Sequence, residues 1–563
     1  MALKASHRNR ARESRSAIER LYIAMRHLFI RGSYKPLGTS GESMIEALRK
    51  LRPEIYGSIT DPERVELNGL FYVMQRLPKG IEQCRYIKLI SREGFEKSHF
   101  EPIIASKRRR NSYRIDEEQF FIEMTRGRSD IYDILTHLTF LYIEAEKIRM
   151  NSEDSKGQKR REWQMLAKVV EREQAGEEYS SEVAYTYLST LLGRTYDETV
   201  KACSRFSNAS DVNSIFQITY WLGLRSTEEA QEGKDREISF SSALREKVGH
   251  HHYGEAWAHH IKQHLRAQNL IHRPIHIISA NLHSVMNTLY AEAAIAKQVK
   301  VEDWETLALE LSKDEDQDLR DQVVTFAERH GMYQLDDASG MNISVQIFDL
   351  EQLGDTNFFE ANGMQLPGDP AETPVIIVMD YAFGEQAFET LDELLKPFEN
   401  GEGEEPLRID SISIMGKAGI LEGGKGDIMV PNAHVFEGTA DNYPFENDLK
   451  VEDFEGNGLQ VFEGPMITVL GTSLQNREVL RYFLESSWQA VGLEMEGAHY
   501  QKAIQAASKI RKSIRGDVVL RYAYYASDNP LVTGHTLASG SLGADGVRPT
   551  YLITRKILER ILA

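Results

Sequence analysis

Ala490-Val491-Gly492-Leu493-Glu494-Met495-Glu496-Gly497-Ala498 decides how this chain is read, together with Ala526-Ser527-Asp528-Asn529-Pro530 about thirty residues later. In both, an apolar, strand-like run gives way to a corner that carries carboxylates, and α/β proteins bind their ligands outside such strand ends. Working outward, similar runs recur at 274–280, 343–348, 375–379, 409–415, 427–431, 466–470 and 518–525. Helical periodicity fills several intervals, at 386–395, 477–488 and 499–514. This alternation predicts an α/β domain over 271–563, with a mixed, mainly parallel sheet flanked by helices. The Gly/Glu-rich 400–405 and the acidic 436–458 read as surface excursions.

Upstream, 1–270 reads as an all-α domain. Thr60-Asp61-Pro62-Glu63 has capping-box spacing and opens a helix through Leu70, Phe71 and Met74. Ile131, Ile134, Leu135, Leu138 and Leu141 mark one face of a second helix, which Glu144 to Arg149 carry towards solvent. Further helices are expected at 163–174, 181–192, 197–206 and 212–222.

With 67 Lys and Arg against 85 Asp and Glu, the net charge of −18 disfavours broad binding to nucleic acid or anionic membranes. Two cysteines, Cys84 and Cys203, without metal-binding spacing argue for a reducing compartment and against a disulfide framework. No apolar run approaches the roughly 18 to 20 residues of a membrane span. Lys4, Arg8, Arg10, Arg12, Arg15 and Arg20 resemble a transit peptide, but Glu13 and Glu19 interrupt them and Ala17, Ile18, Leu21, Tyr22 and Met25 continue as an amphipathic helix. The segment reads as retained and the protein as cytoplasmic.

Three clusters have bland readings beside sharper ones. Lys107-Arg108-Arg109-Arg110, followed by Tyr113 and Arg114, is either a solvated loop or a phosphate contact. His252, His260 and His264 can share a helix face, the minimum for a metal site, but no carboxylate or Cys completes it, so an ordinary helix is expected and no metal. His137 and Glu144 share a face in the same way and read as packing plus a solvated acid.

In extended backbone, Glu494 and Glu496 would face one side and Met495 the other. Carboxylates accept both hydrogen bonds of a vicinal diol, and a thioether packs on a sugar face. Helix-N-terminal acids are the plain alternative. Asp528 follows an apolar strand and is either a general acid, given a raised pKa or a substrate that takes its proton, or a turn cap before Pro530. Tyr381-Ala382-Phe383-Gly384-Glu385-Gln386 and Met415-Gly416-Lys417-Ala418-Gly419 let backbone N–H groups approach an anion or a base, although neither is a nucleotide fingerprint.

The order of these pieces, from Ile277-Ile278-Ser279-Ala280 through Gly416 to Gly419, Gly426 to Val430, Gly471-Thr472-Ser473, Glu494-Met495-Glu496 and Ser527-Asp528, resembles the nucleoside phosphorylase and nucleosidase superfamily over about 272–563. Ser527 to Leu531 and the glycines after it look most like AMP nucleosidases. The resemblance implies that Glu496 binds the ribose 2′ and 3′ hydroxyls, Met495 packs on the sugar, and Asp528 hydrogen-bonds or protonates purine N7 as the glycosidic bond breaks. It also implies a substrate site drawn from Glu494, Ser527, Ser279, Asn281, Gly384, Gly416, Lys417, Thr472 and Ser473. Departures accompany it. No Arg stands in 279–284 or 381–386 to clamp phosphate, and the Glu that orients water in many nucleosidases is missing, leaving Asn281, His283 or Glu385. Lys417 replaces a small residue, and is placed either to meet a 5′-phosphate or to plug the pocket.

The reading that results is a purine nucleoside or nucleotide N-ribosyl hydrolase without a cofactor, forming a homo-oligomer as its family commonly does. A phosphate-dependent purine nucleoside phosphorylase and a non-catalytic nucleotide sensor are the alternatives.

Overall fold

Ile275-His276-Ile277-Ile278-Ser279 is buried along its whole length, as a strand covered on both faces must be. In the computed structural model it is one of eighteen strands among the described residues, which are 2–562 without 109, 296–302, 314–315, 354–365, 402, 440 and 533–541. The chain divides into two compact units: Met1–Thr125, Asp130–His250 and Ser473–Val479 form the first, and Arg126–Ser129, His251–Thr472 and Leu480–Ala563 the second.

The first unit is not all-α. It holds a six-stranded sheet of β1 (Ser33–Tyr34), β2 (Tyr86–Ile90), β3 (Ile103–Ile104), β4 (Asn111–Arg114), β5 (Gln119–Glu123) and β6 (Glu237–Phe240), in the order β1-β6-β2-β5-β4-β3. These strands run two to five residues, too short to show against the helical periodicity around them, yet they alternate. Ile87, Leu89, Phe120, Ile122, Ile238 and Phe240 are buried, with more exposed residues between them.

Helices near the expected positions include Arg161–Ala175, Ser181–Leu192, Tyr196–Ser207 and Ile215–Glu232. Thr60 to Glu63 do not open one. Asp61 accepts from the N–H groups of Glu63 and Arg64, which closes a turn, and the helix Leu67–Met74 starts later with Glu66 as its cap. A capping box stands instead at Thr195 and Glu198. Glu144 is not solvated either. It is fully buried and paired with Lys147 at 2.9 Å, and it accepts the Glu66 N–H, so a buried acid and a buried base satisfy each other inside the unit.

In the second unit, β7 (Ile275–Ser279), β8 (Met332–Leu335), β9 (Val345–Asp349) and β10 (Val375–Met379) form an open part, and β11 (Phe398–Glu399) with β12 (Glu404–Glu405) a separate hairpin. β13 (Ile409–Ile420), β14 (Ile428–Phe436), β15 (Asn442–Pro444), β16 (Val461–Thr468), β17 (Gly492–Glu494) and β18 (Val519–Asp528) continue the sheet. Of its described pairings, five are parallel (β7–β10, β7–β13, β13–β18, β14–β16, β16–β17) and five antiparallel. The sheet is therefore mixed rather than mainly parallel.

The cause lies in a closed circuit. β13 pairs with β17, β17 with β16, β16 with β14, β14 with β18, and β18 again with β13. β13 makes this possible by its length: Ile409 to Ile414 bond β7, while Gly419 and Ile420 bond β17, and the register shifts at Ala418/Gly419. The Gly416 to Gly419 stretch is thus where the strand leaves the open sheet for the closed one.

Candidate functional site

β17 stops at Glu494, so the alternation expected of Glu494, Met495 and Glu496 does not continue. Glu496 has φ −121° and ψ −26° and precedes the helix Gly497–Gln505. All three side chains line the same cavity of about 230 Å³. Gly497 is required at the turn, because a Cβ there would collide with the His434 ring and the Glu494 carboxylate.

The two glutamates are held differently. Glu494 accepts from the Thr468 hydroxyl at 2.5 Å, from the Glu496 N–H at 2.5 Å and from the Gly497 N–H, and so satisfies N–H groups at the start of the helix that follows. Glu496 accepts from the Gly384 N–H at 2.9 Å and from the Met495 N–H at 3.2 Å. Burial pushes both carboxyls up, Glu494 to about 7 and Glu496 to about 8, the latter also by the charge of Glu494. Three charge-stabilising hydrogen bonds at a helix N-terminus favour the anion on Glu494, so Glu496 is the member of the pair that takes the proton near neutrality.

Tyrosines form much of the remaining wall. Tyr381, Tyr500, Tyr524 and Tyr525 line the cavity with Ser279, Ala382, Ile414, Met415, Gly416, Lys417 and Thr472. The Tyr500 hydroxyl is 3.0 Å from the Ser279 hydroxyl, and the Tyr524 hydroxyl 3.3 Å from His434 Nε2. Buried His434, neutral because burial lowers its pKa to about 3, thereby anchors one wall residue. Gly416 lets the β13 backbone approach Tyr381, whose ring would lie 3.3 Å from a Cβ.

Lys417 and Tyr525 also line a second cavity of about 1080 Å³, with Asn281, His283, Lys313 and Arg320 in its wall. Lys417 is exposed and has no ion pair among the described residues. The two spaces adjoin at a cation.

Of the residues singled out in sequence, Ser279, Gly416, Lys417, Thr472, Glu494, Met495 and Glu496 stand together around the smaller cavity. Asn281 belongs to the larger one, and Gly384 reaches the site through its N–H bond to Glu496. Ser527 and Asp528 are buried at the end of β18 and line neither cavity. The Ser527 hydroxyl is 2.6 Å from Asp528 Oδ1 and 3.1 Å from the Ala418 carbonyl, and Asp528 is in register with Gly419 of β13. Ser473 falls in the first unit. The glycine-rich loop after Pro530 lies largely, and Arg109 entirely, outside the described residues.

The tyrosines are what sequence reasoning missed. Tyr522, Tyr524 and Tyr525 crowd one strand end, a signal that was present but reads equally as core. Among the described residues no three His, Cys, Asp or Glu side chains converge to hold a metal.

A family model described as "Family of unknown function (DUF6909)" matches residues 42–308 and 306–563. A search of curated proteins finds no match. Solved structures similar to the chain include futalosine hydrolase of Helicobacter pylori strain 26695 (12% identity, TM-score 0.30, covering 51% of this chain and 97% of that one). Campylobacter jejuni 5′-methylthioadenosine/S-adenosyl homocysteine nucleosidase is similar at 11% identity and TM-score 0.30, covering 51% and 98%. Schistosoma mansoni uridine phosphorylase, in complex with thymidine, is similar at 13% identity and TM-score 0.30, covering 51% and 86%.

Proposed function

The chain belongs to the family of unknown function DUF6909, and we propose that its second unit hydrolyses the N-glycosidic bond of a purine nucleoside or nucleotide. The observation that carries this reading is the Glu496 carboxyl, fixed by the Gly384 N–H and turned into a cavity walled by Met495 and tyrosines. Such a wall suits a ribose and a flat base. Protonated near neutrality, the Glu496 carboxyl accepts from one hydroxyl of a vicinal diol and donates to the other, while aromatic faces stack on a purine.

In the proposed reaction the bond between C1′ and the base nitrogen breaks with its electron pair leaving on the base. To Asp528, which lies outside the described cavity wall with Ser527 fixing its carboxyl, we assign the sharing of a proton with purine N7, which requires the base to extend past that wall. The sugar develops oxocarbenium character, which the charge on the Glu494–Glu496 pair stabilises. A water oxygen then adds at C1′ and its proton passes through solvent to restore the acid that protonated the departed base, so that free base and the reducing sugar are the only products. Lys417, at the junction of the two cavities, gives a 5′-phosphate somewhere to go and favours a nucleotide over a nucleoside.

Incubation with AMP, adenosine, inosine and guanosine, with and without phosphate, tests the reading by release of free base. Phosphate-independent release that falls on the order of 10²-fold or more in Asp528→Asn and Glu496→Gln is expected. No base from any of them, or unchanged rates in both variants, sinks it. An absolute need for phosphate, with ribose 1-phosphate as product, would make the chain a phosphorylase instead. Nucleotide binding without turnover would make it a sensor.

A further inference from the structure

The first unit contains an arginine cluster for which the proposed glycosidic chemistry has no use. Three segments converge there: the chain leaving helix Leu67–Met74 at Gln75 and Arg76, the basic run before β4, and the helical turns bearing Asp130, Asp133 and His137. The Arg110 guanidinium donates to the Arg76 carbonyl at 3.3 Å and ties the first two together.

Counting charges shows an imbalance. Arg110 Nη2 lies 2.8 Å from Asp130 Oδ1 and 2.7 Å from Asp133 Oδ2, and Arg108 Nε lies 3.1 Å from the same Asp133 oxygen. Two carboxylates thus neutralise two guanidinium groups. Arg76 is the third, and no described carboxylate stands within ion-pair distance of it. It is only 7% exposed, its guanidinium rests 3.4 Å over the Tyr72 ring, and Nη1 donates to the Tyr72 carbonyl at 2.9 Å, but Nε has no partner.

His137 approaches the same ring, with centroids 5.8 Å apart at 80°. It is fully buried, with Nε2 3.6 Å from Asp133 Oδ1 and neither ring nitrogen hydrogen-bonded, and burial lowers its pKa to about 3 against the pull of Asp133, so it adds no charge. A buried cation without a counter-charge is costly, as are buried donors left unmade. An oxyanion would relieve both, and Arg108, partly exposed at 18%, leaves the cluster open to solvent on one side.

We propose that Arg76, with Arg108 and His137 beside it, forms an anion site that takes a phosphate group, either as free phosphate or as a phosphomonoester. Arginine forks match phosphate oxygens, and a neutral imidazole can donate one further hydrogen bond. This site would exist whether or not the second unit cleaves nucleosides.

Calorimetric titration of the full chain with inorganic phosphate, and separately with ribose 5-phosphate, in chloride buffer of matched ionic strength tests it. Saturable binding of at least one is expected, with the better ligand identifying the source. Arg76→Met should weaken that binding at least tenfold, whereas Lys417→Met should leave it in place. Without ligand, Arg76→Met should melt no lower than wild type, because it removes an uncompensated buried charge. If Arg76→Met folds poorly, Arg76→Lys, which keeps the charge and loses the fork, should bind measurably more weakly. No saturable heat with either ligand, wild-type binding in the Arg76 variants, or binding lost in Lys417→Met and kept in Arg76→Met would each overturn the proposal.

Discussion

Replacing Glu496 by glutamine separates its effect on stability from the part proposed for it in the reaction. Its folded pKa, about 8, lies above the ordinary value of 4.5, so the folded state binds more protons than the unfolded one between these values. The stability it contributes is present below about pH 4.5 and is lost as pH rises through about 8. Glu496→Gln should therefore flatten the decline of the denaturation midpoint between pH 5 and 9, and a midpoint that falls as steeply as in wild type would contradict the assignment. Legibility at this scale was uneven. Sequence marked Glu494 and Glu496 as a pair, but only the turn into the helix Gly497–Gln505 ties Glu494 to the first N–H groups there and Glu496 to the Gly384 N–H, with both lining the cavity. Asp528 was marked as strongly as Glu496, yet the fold buries it beside Ser527 at a strand end outside the cavity wall.

At the scale of elements, the site depends on how β17 is held. This strand of three residues closes the circuit between β13 and β16 and delivers Glu494 at its end. Gly492 is packed so tightly that a Cβ would meet Met429 Sδ, the Gly419 carbonyl at 2.7 Å and Met466 Sδ at 2.9 Å. Gly492→Ala should cost about 2 kcal/mol or more in urea unfolding, in the range of overpacked cores, and should depress base release with it. A variant as stable as wild type would show that the circuit is not tightly closed. Apolar strands such as β7, β10 and β18 were legible because burial on both faces writes continuous hydrophobic runs. The first unit's sheet was not, since β1 to β6 are short and their two-residue alternation is diluted by surrounding helices. β17 was read as a longer run, because Val491 and Met495 are as apolar as a strand requires but flank its three residues.

At the scale of the molecule, the sequence suggested a single cut near residue 270, whereas the first unit also includes Ser473–Val479. Asn476 Nδ2 donates to the Leu51 carbonyl at 2.8 Å, and the Glu54 N–H donates to the Gln475 carbonyl at 2.9 Å. A fragment of residues 271–563 would carry these buried groups without their partners. It should be less soluble and less stable to heat than the whole chain, and a fragment that melts at the same temperature would contradict this. Such a return of the chain is invisible to local periodicity, because it depends on contacts between residues more than 400 positions apart.

The central claim is that the cavity around Glu496 breaks a glycosidic bond to a purine. The most direct measurement is the kcat/KM for free-base release from AMP in phosphate-free buffer, for wild type and Glu496→Gln side by side. Turnover by wild type and a loss of about 10²-fold or more in the variant are expected, with the fold retained by circular dichroism. Equal rates in the two proteins, or no base released by wild type from AMP or any other purine nucleoside, would contradict it.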